Sequence, residues 1–517
     1  MSRKQSSNAN LSRRELLKCG LYGGAAASLS PCLWLSGCGK RQKAKMPNII
    51  VLTVDTLRAD HMALYGYVRD TMPAIEKFAK TAVVFDNAVV PRGSTRPSYA
   101  SMLTGLYPFR HGVYNNTIGL HKALTRLPQL LRSAGYHTAA FVSNFTLVKE
   151  LSGCHHGFDI YDDLVEERRV NYPSYQRTAA NTLKAILEWL GSNDQQPFFL
   201  FTNFIDPHGS YRPPQRFRNM YRSQKKRILK RRQIPPYQFV DDSLDFYDYV
   251  DRYDGEISYT DEALGMLIDE LKSKGLWDDA LIVFTADHGE HLGVHTDIIR
   301  KFLFNHAPSV WEATARVPMI IRLPEAPNDN AVVPRRLQSV CSPMDLAPTV
   351  LDYLGIEFDV RMDGLSLLPV LKGHPETDRV ILLECPLKSY SFIPKGSSNY
   401  PDTYAIRSDT HKLVRYLKRD THNVLQQVVF DISADPLEKS PFRYDDRFPL
   451  YRELAGQMDA MLEQVRTYKL SFPVTRYLMP SSERPGFIEK RKKSSQENIK
   501  YLSEQQIERL RSLGYVE

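Results

Sequence analysis

The chain has 517 residues, of which 42% are apolar and 25% charged, which excludes a disordered or fibrous protein and leaves room for two to four globular domains. Its formal charge is +9, but residues 1–37 hold five of the cations and one acid, so the remainder carries about +5. So small an excess gives no reason to expect a nucleic-acid partner, and none is expected.

The N-terminus reads as an address. Ser12-Arg13-Arg14-Glu15-Leu16-Leu17-Lys18 has the form of a twin-arginine export signal, and a stretch rich in Ala, Gly and Ser follows it. That stretch is too polar to make a good membrane span. Leu35-Ser36-Gly37-Cys38 has the form of a lipobox, in which Cys38 is lipidated and becomes the first mature residue. The expectation is therefore a signal peptide over 1–37, a basic tether over 38–45, and a lipoprotein anchored in the cell envelope, facing the periplasm or the outside. Beyond Cys38 only Cys154, Cys341 and Cys385 remain, which is no disulfide framework; they read as small core residues.

From Asn48 to Val54 runs a nearly unbroken apolar segment, the mark of a strand buried on both faces of a parallel sheet. Similar runs recur at Thr138–Val142, Phe198–Ile205, Leu281–Thr285 and Pro318–Ile321. Between them, Thr178–Leu190 and Gly255–Lys274 repeat apolar residues at helical spacing and close at Gly191 and Gly275. This alternation predicts an α/β fold around a mostly parallel central sheet. An insertion over 212–256 breaks the rhythm: seven of the eleven residues Arg222–Arg232 are basic, and acids crowd Asp241–Glu256. It is either a solvated excursion whose halves attract each other or a basic lid that steers anions. After about residue 376 short strands at Tyr404–Arg407, Lys412–Arg415 and Val428–Asp431 and a helix at Tyr451–Val465 predict a smaller α+β subdomain over 376–480. A charged tail over 481–517 ends in a helix at Ser503–Leu513.

Three of the apolar runs end directly in residues able to bind a metal or a proton. Asp55 follows the first, Asp206-Pro207-His208 the third, and Asp287-His288-Gly289-Glu290 the fourth. In open α/β sheets the ligand crevice lies at the carboxyl ends of the strands, so these side chains are expected to converge. A single one would read as a helix cap or a loop residue; three together point to a site.

Thr95-Arg96-Pro97-Ser98-Tyr99 with Ala100 to Gly105 resembles the nucleophile motif of the sulfatase family, in the alkaline phosphatase superfamily. Val54-Asp55-Thr56-Leu57-Arg58-Ala59-Asp60-His61, Tyr253-Asp254-Gly255-Glu256, Ala286-Asp287-His288-Gly289-Glu290, Arg316-Val317-Pro318 and Met344-Asp345-Leu346-Ala347-Pro348-Thr349 resemble further blocks of that family, in its order. The likeness covers about residues 46–440 and implies an alkaline-phosphatase-like sandwich, with a catalytic domain over 46–375. It implies Asp55, Thr95, Asp287 and His288 as metal ligands, with Thr95 also the nucleophile, and His208 as a contact to the ester. His295 and His306 lie where relatives place a histidine or lysine near the leaving group.

Four departures matter. Thr95 stands where the family has a cysteine or serine that is oxidised to formylglycine, and Tyr99 where it has arginine. Thr56 replaces a second Asp and His288 an Asn, so nitrogen replaces oxygen among the donors, which favours zinc or manganese over calcium. The expected activity is hydrolysis of a phosphate, phosphonate or sulfate ester through a covalent Thr95 intermediate. Two other readings stay open: a phosphoethanolamine- or phosphoglycerol-type transferase acting on a glycan or lipid, and a binding protein that has lost catalysis.

Overall fold

The structure is a computed structural model that describes residues 46–476, apart from 166, 169–174, 294, 296–302, 307–308, 325–333, 376–377, 387–399 and 420. The leader, Cys38, the tether and the charged tail with its expected helix lie outside the described residues. No helix among those described is long and apolar enough to cross a membrane.

The apolar runs form the sheet they predicted. Its strands are β1 (Asn48–Val54), β2 (Val83–Val89), β3 (His137–Val142), β4 (Ile160–Asp162), β5 (Phe198–Phe204), β6 (Ala280–Ala286), β7 (Arg316–Arg322) and β8 (Arg335–Cys341). They lie side by side in the order β8-β2-β7-β6-β1-β5-β3-β4. β1 pairs in parallel with β5 and β6, β3 with β5 and β4, and β8 with β2; β7 runs antiparallel to both its neighbours. β1, β5 and β6 are buried along their whole length, as continuous apolar runs require when both faces are covered. β2 and β8 were not foreseen, because each mixes polar residues into a strand that lies away from the centre of the sheet.

Helices cover the sheet. α1 (Thr95–Thr104) is buried at every position, so no polar face marks it in the sequence. α2 (Ala179–Ser192) starts at its cap Thr178, whose hydroxyl accepts from Asn181 N, and runs two residues past the predicted end, through Gly191. α3 (Phe246–Ser273) corrects the sequence reading: it begins nine residues before Gly255. Asp245 caps it, and the early acids Asp248 and Asp251 suit the positive end of its dipole. Most of the acidic part of the expected insertion is thus the start of a helix. Gly255 sits mid-helix because a Cβ there would come within 2.8 Å of the Phe217 carbonyl.

Among the described residues no basic side chain of the run forms an ion pair with those acids, although Ser223 N donates to Asp251 and Arg227 N to Asp245. Asp241 takes Arg212, Arg218 and Arg252, while Asp251 and Asp254 take Arg69. Lys225, Lys226, Lys230 and Arg232 stay exposed, and among the described residues none of them has an ion pair.

A second sheet, antiparallel, is formed by β9 (Ile381–Cys385), β10 (Asp402–Arg407), β11 (His411–Leu417), β12 (Val424–Asp431) and β13 (Phe442–Arg443), with α4 (Pro449–Thr467) packed against it. Its core is shared with the large sheet: Val89, Tyr107, Phe109 and Val340 join Leu382, Ile406, Val414 and Met458 in one apolar cluster. Buried ions tie the same boundary. Lys412 bridges Glu312 at 3.0 Å and Glu438 at 2.8 Å, and Arg92 reaches Glu384 at 3.2 Å.

Candidate metal and ester site

The carboxyl ends of β1 and β6 bring two carboxylates together. Asp55 follows β1; its Oδ2 accepts from Asn144 Nδ2 at 2.6 Å, and its Oδ1 is buried without a hydrogen-bond partner. Asp287 follows β6; its Oδ1 accepts from the backbone N–H groups of Thr56 (3.2 Å) and His288 (2.9 Å), and its Oδ2 is likewise unpartnered. Thr56 holds its place at φ +56°, in the left-handed region that a β-branched residue rarely occupies, pinned by Tyr253 OH donating to its carbonyl at 2.7 Å.

His288 completes the group. Its Nδ1 lies 2.9 Å from the Gly289 carbonyl, which can only accept, so the proton sits on Nδ1 and the lone pair on Nε2. That Nε2 lies 3.4 Å from Asp287 Oδ2, 3.9 Å from Asp55 Oδ1 and 3.4 Å from Thr95 Oγ1. Ligand atoms of Asp55, Asp287 and His288 all fall within 4.8 Å of one another, fully buried. Thr95 stands at the first turn of α1, capped from outside by Asn116 Oδ1, which accepts from Arg96 N at 2.9 Å.

Electrostatics make the same point. Burial first, and then the charge of Asp287, hold the Asp55 carboxyl well above the usual range. Burial pushes Asp287 up to about 8. Two adjacent buried carboxylates with orphaned oxygens facing an imidazole lone pair are costly unless a cation lies between them. The donor set therefore fits one divalent metal ion, held by Asp55, Asp287, His288 and Thr95.

On the other side lie histidines. His208, at the end of β5, is buried, with Nδ1 2.9 Å from the Gly209 carbonyl, and its ring stands 4.8 Å from that of His306. The His306 ring is 4.6 Å from that of His288, and its Nδ1, buried without a hydrogen-bond partner, is 3.5 Å from Glu290 Oε2, which accepts from Tyr211 OH at 3.1 Å. Burial lowers both histidines, His208 to about 3. The segment before α3 holds this side in place: Gln233 O accepts from Leu303 N, and Gln238, wholly buried, donates to the Phe304 carbonyl at 3.0 Å.

His295 is placed elsewhere. Its ring stacks on Trp311 at 4.2 Å and its Nε2 donates to Leu437 O at 3.1 Å, so it serves the contact with the second sheet rather than the Thr95 group. Tyr99, at the expected arginine position, points into the sheet, its hydroxyl bonded to Thr53 Oγ1 (2.6 Å) and Asn203 Nδ2 (2.8 Å). Sequence reasoning missed Asn144 as a support and gave Glu290 no role beyond its place in the block that ends the fourth run. Asn144 was within reach of the same logic, since it stands two residues after a buried run.

A family model described as Sulfatase matches residues 47–356. The chain belongs to the sulfatase family. The C-terminal model of N-sulphoglucosamine sulphohydrolase matches residues 303–468 as well. Among curated sulfatase relatives, an N-acetylglucosamine-6-O-sulfatase of Bacteroides thetaiotaomicron is 24% identical over 78% of this chain and 84% of its own. A choline-sulfatase of Rhizobium meliloti is 28% identical over 78% and 84%. The fold is shared with the phosphonate monoester hydrolase of Agrobacterium radiobacter, with a TM-score of 0.64, 20% identity, and coverage of 81% of this chain and 95% of that one.

Proposed function

We propose that this sulfatase-family hydrolase cleaves an ester of a tetrahedral oxyanion through a covalent intermediate on Thr95, with one divalent cation held by Asp55, Thr95, Asp287 and His288. The observation that carries the reading is the Thr95 hydroxyl lying 3.4 Å from His288 Nε2, beside two carboxylates with unpartnered oxygens. When bound, a cation there supplies charge neutralisation and makes a hydroxyl more acidic, as it lowers the pKa of water from 15.7 to about 7. The imidazole and hydroxyl donors favour zinc or manganese, with calcium the weaker fit.

The chain's own groups account for the protons. Thr95 Oγ1 attacks the central phosphorus or sulfur, the bond to the organic oxygen breaks, and the proton lost by Thr95 is the one the departing alkoxide needs. His306, whose ring stands 4.6 Å from that of His288, and His208, 4.8 Å beyond it, are the groups placed to carry it. Water then attacks the threonine ester and returns a proton to Oγ1. Glu290, held by Tyr211, lies beside the His306 ring.

The named relatives act on sulfate esters and the named structural neighbour on phosphonate esters. Threonine cannot form the aldehyde hydrate through which formylglycine enzymes release sulfate, whereas its phosphoryl ester yields to a second in-line attack. Phosphate or phosphonate esters are therefore the preferred class. The leader motifs support an exported protein held to the membrane by lipid on Cys38. Metal content measured beside a panel of sulfate, phosphate and phosphonate esters tests the reading, with Thr95→Ala as control. Turnover is expected to fall about a thousandfold or more in that variant, with metal still bound. Aryl sulfate cleaved faster than an aryl phosphate diester would overturn the phosphate preference.

A further inference from the structure

A second cationic feature lies on the rim of the same sheet edge and takes no part in the chemistry above. Past β3 the chain runs through Asn144, which holds Asp55, to a helical turn at Lys149–Ser152. Leu120 N donates to Ser152 O at 2.7 Å and lays residues 119–122 against that turn. Between them opens a cleft of about 440 Å³ lined by His121, Lys122, Lys149, His155 and His156. Both lysines are exposed, and the three histidines are half-buried. Glu150 is the acid on the lining, while Asp163 lies behind it and accepts from Lys149 N at 2.7 Å.

Two buried guanidinium groups sit behind the segments that line the cleft, and among the described residues neither has a carboxylate partner. Arg126, fully buried, donates to the carbonyls of Leu120, His121 and Leu124, and its Nε is unpartnered. Arg96, 2% exposed, donates from Nε to Thr146 O, and its Nη1 is unpartnered. Both act on the thiol of Cys154, next to His155. A buried cation without a counter-ion is unfavourable, and here two sit beside two exposed lysines. The field of Arg126 reaches the cleft: after burial, His156, Arg126 and Lys149 depress His155 to about 4, against Glu150 alone. His155 Nδ1 is itself buried without a partner.

We propose that this cleft is a second anion subsite, taking a tetrahedral oxyanion, sulfate or phosphate, beside the catalytic site. Donors converge from two lysines and the imidazoles, which suits an ion with several oxygens and more than one negative charge better than a single carboxylate. Five residues separate Lys149 from Asn144, so the cleft lies within about 18 Å of chain from the Asp55 support. The anion has two sources of the same chemistry: the free inorganic product, or a further ester group on the same substrate molecule. The second source rests on the proposed function; the first does not.

The test titrates full-length protein with inorganic sulfate and, separately, inorganic phosphate, following the His155 and His156 imidazoles by NMR, in wild type and in a Lys122→Ala/Lys149→Ala double variant. Saturable binding that raises the histidine pKa values, weakened about tenfold in the variant, is the expected result. No saturable shift, or the same binding in both proteins, overturns the subsite. The sources separate in kinetics: if the subsite holds a second ester group, KM for a doubly esterified hexosamine rises about tenfold in the variant while KM for the singly esterified one stays unchanged. If both are unchanged while the ion binds, the subsite serves the free ion. If neither ester is hydrolysed by wild type, the proposed function fails for these esters and the ion titration still decides the subsite. An unchanged melting temperature shows that the double variant is folded.

Discussion

The two sides of the site are built in different ways. On the carboxylate side, Asp55, Asp287 and His288 sit at the ends of adjacent strands; backbone groups of neighbouring residues fix Asp287 and His288, and the Asn144 amide fixes Asp55. On the histidine side, His208 follows β5 and meets the Gly209 carbonyl, whereas His306 comes from a loop, beside Glu290 and its partner Tyr211 and next to a segment that the buried Gln238 holds through Phe304 O. Phe304 itself stands at φ +52° and is clamped by stacking on Tyr249 at 4.4 Å. Strand ends place ligands with the rigidity of the sheet, whereas the loop side depends on a few side-chain bonds and is the side that can vary with the substrate.

The comparison breaks most sharply at the carboxylates. Asp287→Asn is expected to abolish metal binding in a metal-content assay and to lower turnover about a thousandfold. Retained metal in that variant would show that the strand ends are not the anchor. Asn144→Ala removes only the bond that orients Asp55, so metal affinity should fall about ten- to a hundredfold in competition with a chelator. Gln238→Ala strikes the other side: it leaves the Phe304 carbonyl buried and unsatisfied, costing about 1–3 kcal/mol of stability, with lower kcat but unchanged metal content. If metal were lost as well, the two sides would not be separable.

The smallest effect concerns the scaffold that carries Thr95. His111 is buried; its Nδ1 accepts from Val113 N, so its Nε2 proton goes to Ser101 Oγ of α1. Burial, then Arg92, depresses it from 6.5 to about 3. The folded state thus binds fewer protons than the unfolded one, and stability present above pH 6.5 is lost as pH falls toward 3, by up to about 1.4 kcal/mol per pH unit. The melting temperature of wild type should drop more between pH 7 and pH 5 than that of His111→Gln.

Much of the carboxylate side was legible in the sequence, because continuous apolar runs betray buried parallel strands and the polar residue that ends each run must sit at the crevice. Asp55, His208, Asp287 and His288 all came from that rule. What stayed hidden depends on contacts between distant segments. Nothing local says that His295 turns to Leu437, or that residues 233–238 brace the loop of His306. The start of α3 was missed for a different reason: its first turns are rich in Asp and Tyr, which read as an acidic surface loop when the helix face they cover is unknown. Local sequence likewise gives no hint that Thr56 adopts a left-handed conformation, since threonine is among the residues least suited to it.

Tyr99 has a consequence for any redesign of the nucleophile. It stands one turn from Thr95 on α1, and its hydroxyl is spent on Thr53 and Asn203 beneath the carboxylates. An arginine at 99 would sever both of these buried bonds between helix and sheet and bring a charge among groups buried from water. Any redesign of the nucleophile that calls for a cation one turn along α1 must therefore repack Thr53 and Asn203 at the same time.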